Sequence, residues 1–268
     1  MAPFRTALML ALLTSPSLAA GAAPRCEAVA GADLVLRDTT KRYVIFGERH
    51  GTVDAPALFS RLVCLASDMG PVVVGLEMEA DQQGSISAYV ASDGSTAARE
   101  TLLANRHWRL RDGRASAAML KLLEDVRLLR SAGQQAEVLA FMRSAPTPEA
   151  RESAMTHVWQ AALAGRPQAR LLALIGRVHA ETQTIGPIPS AAAGLPERER
   201  ITLADVPFPQ TAAGAGTYRI SKSTRTEWRW PRYDFYYDVG RAAQSSPPAR
   251  ASADLATVPP KAAIGTAR

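Results

Sequence analysis

The sequence predicts an α/β fold with a mostly parallel central sheet, helices on both faces and a small helical excursion. Three observations carry that expectation. Short runs such as Tyr43-Val44-Ile45-Phe46, Val72-Val73-Val74 and Leu171-Leu172-Ala173-Leu174-Ile175 are apolar throughout rather than alternating, as strands covered on both faces are. Helix-period segments separate them, and strands alternating with helices favour crossover connections and a parallel sheet. Several runs then end in a glycine followed by ionisable residues, which places polar groups at the strand exits.

In chain order, Arg42 to Phe46 reads as the first strand, closed by Gly47. Asp54 is expected to cap a helix with Pro56 in its first turn, turning Leu58, Phe59, Leu62, Val63 and Leu65 inward and stopping at Gly70. Pro71 to Gly75 is the second strand. Asp81 to Leu110 is polar and weakly periodic, an excursion of short helices outside the sheet. Ser116 caps a helix through Arg130, with Met119, Leu122, Leu123, Val126 and Leu129 at helical spacing. Glu137 to Met142 is the third strand, and Thr147-Pro148 opens a helix reaching Ala164, with Met155, Val158, Trp159 and Ala162 inward. Arg170 to Gly176 is the fourth strand. Arg200 to Val206 and Arg232 to Val239 follow as later strands, with Tyr218 to Trp230 as a hairpin arm. The aromatic and basic residues between Tyr218 and Tyr237 suit a packed strand better than a stacking surface.

The 268 residues divide into a signal peptide at 1–23, one α/β domain at 24–241, and an Ala/Pro-rich tail at 242–268. The first segment has a basic Arg5, the apolar stretch Thr6 to Leu13 and small residues beyond it, the order of a secretory signal. The chain is therefore expected to be exported, periplasmic or secreted, with no transmembrane segment. The tail holds nine Ala and four Pro with Leu255, Val258 and Ile264 as its only large apolar residues, so disorder is expected. Cys26 and Cys64 either pair in an oxidising compartment or remain two buried thiols. The net charge of +6 falls to +5 without Arg5. That balance serves solubility or an anionic surface, and export disfavours nucleic acid as a partner.

Three strand exits carry the chemistry: Gly47-Glu48-Arg49-His50, Gly75-Leu76-Glu77-Met78-Glu79 and Gly176-Arg177-Val178-His179. In a parallel sheet these exits share one edge, so Glu48, His50, Glu77 and His179 are the candidate catalytic residues. Two imidazoles and two carboxylates suit a divalent metal held by His50, Glu77 and His179. They equally suit metal-free acid–base chemistry, with His50 as base and a carboxylate orienting it. Solvated loop residues are the plain alternative. Arg49, Glu79 and Arg177 are expected to turn away from the site by strand alternation. Arg114, in the turn Asp112-Gly113-Arg114, is a candidate clamp for an anionic substrate group. Arg151 and Glu152, at the start of the helix after the third strand, overhang the site as further substrate-binding candidates. His107 and His157 read as packing residues.

With those residues in view, the chain resembles the superfamily of ChaN-type haem-binding uptake proteins, Tiki proteases and erythromycin esterases, with the ChaN-like branch nearest. The resemblance rests on Gly47 to His50, Gly75-Leu76-Glu77, Trp108 ahead of Asp112-Gly113-Arg114, Ser116 with Met119-Leu120, Arg151-Glu152 before Met155, Gly176 to His179, and Tyr233-Asp234-Phe235. It spans Val44 to Val239. The resemblance implies a parallel-sheet fold whose pocket is built from the Glu48, His50, Glu77 and His179 positions. Activities diverge within it: Tiki members are metal-dependent peptidases, erythromycin esterases open a lactone without metal, and ChaN binds haem. Arg151-Glu152 stands where the family carries Arg-Asp. The expectation is an exported hydrolase acting on a small-molecule or peptide substrate, with a divalent metal or without one. The alternative is a non-catalytic haem or iron-uptake binding protein. Without a Cys-x-x-Cys-His motif, any haem would be held reversibly.

Overall fold

A computed structural model describes residues 25–182, 188–205, 217–222, 233–240 and 244–250. The expected signal segment, Trp228, Trp230 and the end of the C-terminal tail lie outside them. The elements in order are α1 (Asp33–Leu36), β1 (Tyr43–Glu48), α2 (Asp54–Ser67), β2 (Val72–Glu79), α3 (Gln83–Val90), α4 (Thr96–Ala104), α5 (Ala117–Ser131), β3 (Ala136–Met142), α6 (Pro148–Leu163), β4 (Arg170–Gly176), β5 (Arg200–Asp205), β6 (Arg219–Lys222) and β7 (Phe235–Asp238). The seven strands form one sheet in the order β3-β2-β4-β1-β5-β7-β6. Every neighbouring pair is parallel except β6 with β7. The α/β expectation holds, and the excursion between β2 and α5 is α3 and α4 with two short 3-10 turns.

The strands are apolar throughout because the sheet is covered on both sides. Val44 and Phe46 of β1 pack with Leu58, Phe59 and Leu62 of α2 and with Leu122, Leu123 and Val126 of α5. Tyr43 and Ile45 face the other layer, with Met155, Trp159 and Leu163 of α6. Each such aliphatic or aromatic side chain contributes roughly 1.5–3 kcal/mol when fully buried, so the two layers hold β1 from both sides. Among the described residues, no helix is long and apolar enough to cross a membrane.

Helix starts follow short polar caps at two of the three long helices. Ser116 accepts from the Met119 N–H and Thr147 from the Ala150 N–H, each contributing about 1 kcal/mol. The third differs from expectation. Asp54 lies inside the first turn of α2 rather than capping it, and Val53 occupies the cap position without a side-chain hydrogen bond. The Val53 N–H instead donates to the Gln244 carbonyl, and the Asp54 carboxylate accepts from the Gln244 N–H.

That contact corrects the expected disorder over 244–250. These residues run back across the molecule through main-chain hydrogen bonds: Ser246 N–H to Gly51 O, Ala117 N–H to Pro247 O and Ala249 N–H to Ala115 O. Composition missed the segment because backbone pairing, with only Ala249 fully buried, holds it in place. Cys26 and Cys64 form a disulfide that ties the start of the described chain to α2.

Candidate active site

The register brings the strand exits level. Glu48 of β1 pairs with Gly176 of β4, and Leu76 of β2 with Leu174 of β4, so Glu48, Glu77 and Gly176 emerge together at the carboxyl edge. Behind them, the turn at Gly113 (φ 90°) packs directly on the His50–Gly51 peptide, where any Cβ would collide. Asp112-Gly113-Arg114 thereby braces the His50 loop from outside.

His50 sits between two carboxylates. Its Nδ1 is 3.0 Å from Glu48 Oε1 and its Nε2 is 3.4 Å from Glu77 Oε2. Glu48 and Glu77 are only 4% and 7% exposed. Glu77 Oε2 also accepts from the Gly176 N–H at 2.6 Å, and Oε1 accepts from Arg114 Nη1 at 3.3 Å. His179 forms a second couple. Its Nδ1 is 2.7 Å from Glu152 Oε1, and Glu152 Oε2 accepts from the Ala191 N–H at 2.8 Å.

Both rings face one gap. A Cβ on residue 176 would stand 3.0 Å from His50 Nε2, 3.4 Å from Glu77 Oε2 and 3.5 Å from His179 Cδ2. Glycine at 176 leaves this space open between two histidines whose Nδ1 atoms are each held by a buried carboxylate. A carboxylate only accepts, so it fixes the proton of His179 on Nδ1 and leaves Nε2 as the basic nitrogen. Among the described residues, His179 Nε2 makes no hydrogen bond.

The electrostatics differ between the groups. Burial opposes charging of His50, but the hydrogen bonds and charges of Glu48 and Glu77 overcome it and raise its pKa to about 10. Burial pushes Glu48 up, against the pull of His50. Glu77 ends below the ordinary carboxylate value: burial is outweighed chiefly by His50 and by the Gly176 N–H. At neutral pH the favoured state is thus an imidazolium at His50 lying against an ionised Glu77.

The other predicted residues fall in different places. Arg114 is drawn to Asp112, through Nε at 2.9 Å and Nη2 at 2.5 Å, as well as to Glu77, so it buttresses the carboxylate within the site. Glu152 lies in the site through His179, whereas the neighbouring Arg151 has a buried Nε without a hydrogen bond and, among the described residues, no ion pair with the two couples. His107 is buried edge-on against Trp108, and His157 pairs with Ser153 along α6, as packing residues should. Glu79 turns to Arg106. Asp205 was not among the expected site residues. It meets both Arg49 and Arg177, and only its place at the end of β5 could have marked it.

The arrangement does not fit a metal. Among the described residues no group of three His, Cys, Asp or Glu side chains is placed to hold one, and both nitrogens of His50 already lie near carboxylates. Among the described residues, the cavity of about 590 Å³ between α2 and α5 and the one of about 500 Å³ at the β3 edge have no His or Tyr in their walls and exclude both couples.

No protein-family description matches the chain, and no curated protein matches it. Among solved structures, it is similar to the type III effector HopBA1, at 14% identity and a TM-score of 0.49, over 77% of this chain and 92% of that one. A bacterial protein toxin matches at 20% identity and a TM-score of 0.44, over 68% of this chain and 37% of the toxin. A mutant erythromycin esterase, EreC, in its open conformation matches at 10% identity and a TM-score of 0.41, over 79% and 77%. Likeness at this level says nothing of what this chain binds or acts on.

Proposed function

We propose that the protein is an exported, metal-free hydrolase of ester or lactone bonds. The observation that carries the reading is the pair of carboxylate-held imidazoles, His50 with Glu48 and His179 with Glu152, facing the gap at Gly176. Export is supported by the apolar stretch after Arg5 and by the Cys26–Cys64 disulfide.

The two imidazoles divide the work. His179, with Nε2 basic, takes a proton from a water in the gap as that water adds to the carbonyl carbon. His50 is the imidazolium, so its Nε2–H stabilises the oxyanion and then gives its proton to the leaving oxygen as the C–O bond breaks. Glu48 orients His50, Glu152 orients His179, and Glu77 holds the charge of His50. This reverses the expectation that His50 is the base, because an imidazolium cannot take a proton.

A panel of p-nitrophenyl esters and lactones, assayed with and without chelator, tests the reading. Turnover that survives chelation and falls about a hundredfold or more in His179→Ala supports it. Activity that chelator removes and a divalent ion restores would replace it with a metal hydrolase. Absence of turnover, together with saturable haem uptake by the same preparation, would favour the binding-protein alternative.

A further inference from the structure

Arg49, turned by strand alternation, and Arg177, which opens the 3-10 turn Arg177–Ala180 after β4, meet at one carboxylate rather than at the imidazole couples. They occupy the register step immediately beyond the Glu48–Gly176 pair, and both reach the same carboxylate at the end of β5. Arg49 Nε donates to Asp205 Oδ2 at 2.8 Å, and Arg177 Nε lies 3.3 Å from Oδ1. Arg49 is held by the hydrogen bond of its Nε edge, and Arg177 by charge, since Asp205 Oδ1 accepts no hydrogen bond. The terminal nitrogens of Arg49 make no hydrogen bond among the described residues. Tyr233, whose hydroxyl donates to the Arg177 carbonyl at 3.0 Å, fixes the backbone beneath.

Two guanidinium groups on one carboxylate leave an excess positive charge. The side chains of Arg49 and Arg177 are 51% and 30% exposed, against 18% for Asp205, so the cations face solvent and the anion lies behind them. The patch also adjoins the couples: Arg49 lies between Glu48 and His50, Arg177 follows Gly176, and the Arg177 Cα packs so close to Gly47 that a Cβ there would stand 3.2 Å from it. Arg114 provides no such free cation, since Asp112 and Glu77 take its guanidinium.

We infer that Arg49 and Arg177, aligned by Asp205, form an anion subsite beside the Gly176 gap, selecting substrates that carry a carboxylate or phosphate near the scissile ester. This rests on the hydrolase reading for the reaction but not for binding. A planar guanidinium presents a fork matched to either anion, and Asp205 pre-orders the two forks so that less side-chain entropy is lost on binding.

The test has a binding arm and a kinetic arm on the mature chain. In the first, succinate, phenyl phosphate and neutral succinamide are titrated against the ¹H–¹⁵N resonances of the arginine Nε groups. Saturable shifts at Arg49 and Arg177 are expected with the anions and not with succinamide. Arg49→Gln should weaken binding about tenfold or more, and its melting curve checks folding. In the second arm, p-nitrophenyl acetate is compared with mono-p-nitrophenyl succinate and with an ester bearing a phosphate. The ratio of anionic to neutral kcat/KM should exceed about ten in the wild type and collapse in Arg49→Gln and in Arg177→Gln. Whether the carboxylate or the phosphate ester gains more identifies the anion. Turnover with no anion preference, or binding equal in wild type and Arg49→Gln/Arg177→Gln, overturns the subsite and spares the hydrolase. Anion binding at these arginines without turnover of any ester overturns the hydrolase and spares the subsite.

Discussion

Removing the charge of Glu77 should move the titration of His50. His50 stands near 10 because two carboxylates outweigh its burial. The rise from 6.5, at about 1.4 kcal/mol per pKa unit, corresponds to roughly 3–5 kcal/mol of preference for the imidazolium. Glu77→Gln keeps the shape and deletes one of the two charges. An opposite charge at this distance is worth about 1–3 pKa units, so the His50 titration should drop by that amount. The sign for stability follows. A raised folded pKa means the contribution is fully present below about 6.5 and is lost as pH rises through about 10. The variant should therefore be less stable than wild type near pH 6, and the deficit should shrink above pH 10. The direct assay is the pH dependence of the histidine ¹³Cε1 shifts, with only four histidines to assign and His50→Gln identifying the resonance. A wild-type His50 titrating near 6.5, or a Glu77→Gln variant titrating with wild type, would refute the account of this site.

Other outcomes follow from particular contacts. Gly176→Ala sets a methyl 3.0 Å from His50 Nε2. It should cost little stability, because the His50 ring, 25% exposed, need give by only a few tenths of an ångström, while turnover falls about a hundredfold through misplacement; unchanged turnover would remove the Gly176 gap from the mechanism. The Cys26–Cys64 bridge closes a loop of 38 residues, so the double Cys→Ser variant should lose about 2–4 kcal/mol in denaturant unfolding, with site chemistry retained. Gln83 donates to Val138 O and accepts from Ala140 N–H on the outermost strand β3, the pairing another strand would otherwise make. Gln83→Ala should thus raise concentration-dependent association, read by light scattering; a strictly monomeric variant would show that the edge needs no such seal. Turnover that depends on the His50 imidazolium should persist to pH 9 and decline toward pH 10.

Much of this was legible in the residues, for reasons that differ by element. The runs at Tyr43 to Phe46, Val72 to Val74 and Leu171 to Ile175 announce strands buried on both faces, and their glycine exits mark one edge. That Glu48, His50, Glu77 and His179 share that edge follows from parallel topology alone. The division into couples does not. His179 takes Glu152, a residue separated from it by a whole helix and strand, and the choice depends on how α6 crosses the sheet. Alternation bears on Arg49, whereas Arg177 opens a 3-10 turn, and neither position could reveal that β5 ends in a carboxylate that gathers both. The cap misread at Asp54 and the order over 244–250 share one cause, since main-chain partners distant in sequence replace local side-chain signals.

The returning segment also sets a timetable. The loop behind His50 is synthesised well before its partner carbonyls and amides at Gln244 and Ser246, since the contact between Asp54 and Gln244 spans 190 residues. Likewise β1 waits for β4 and β5 on either flank. Contacts this far apart in sequence form late, because the intervening loop must close first. A nascent or clipped chain could therefore possess most of its sheet while the histidine loop remained unbraced.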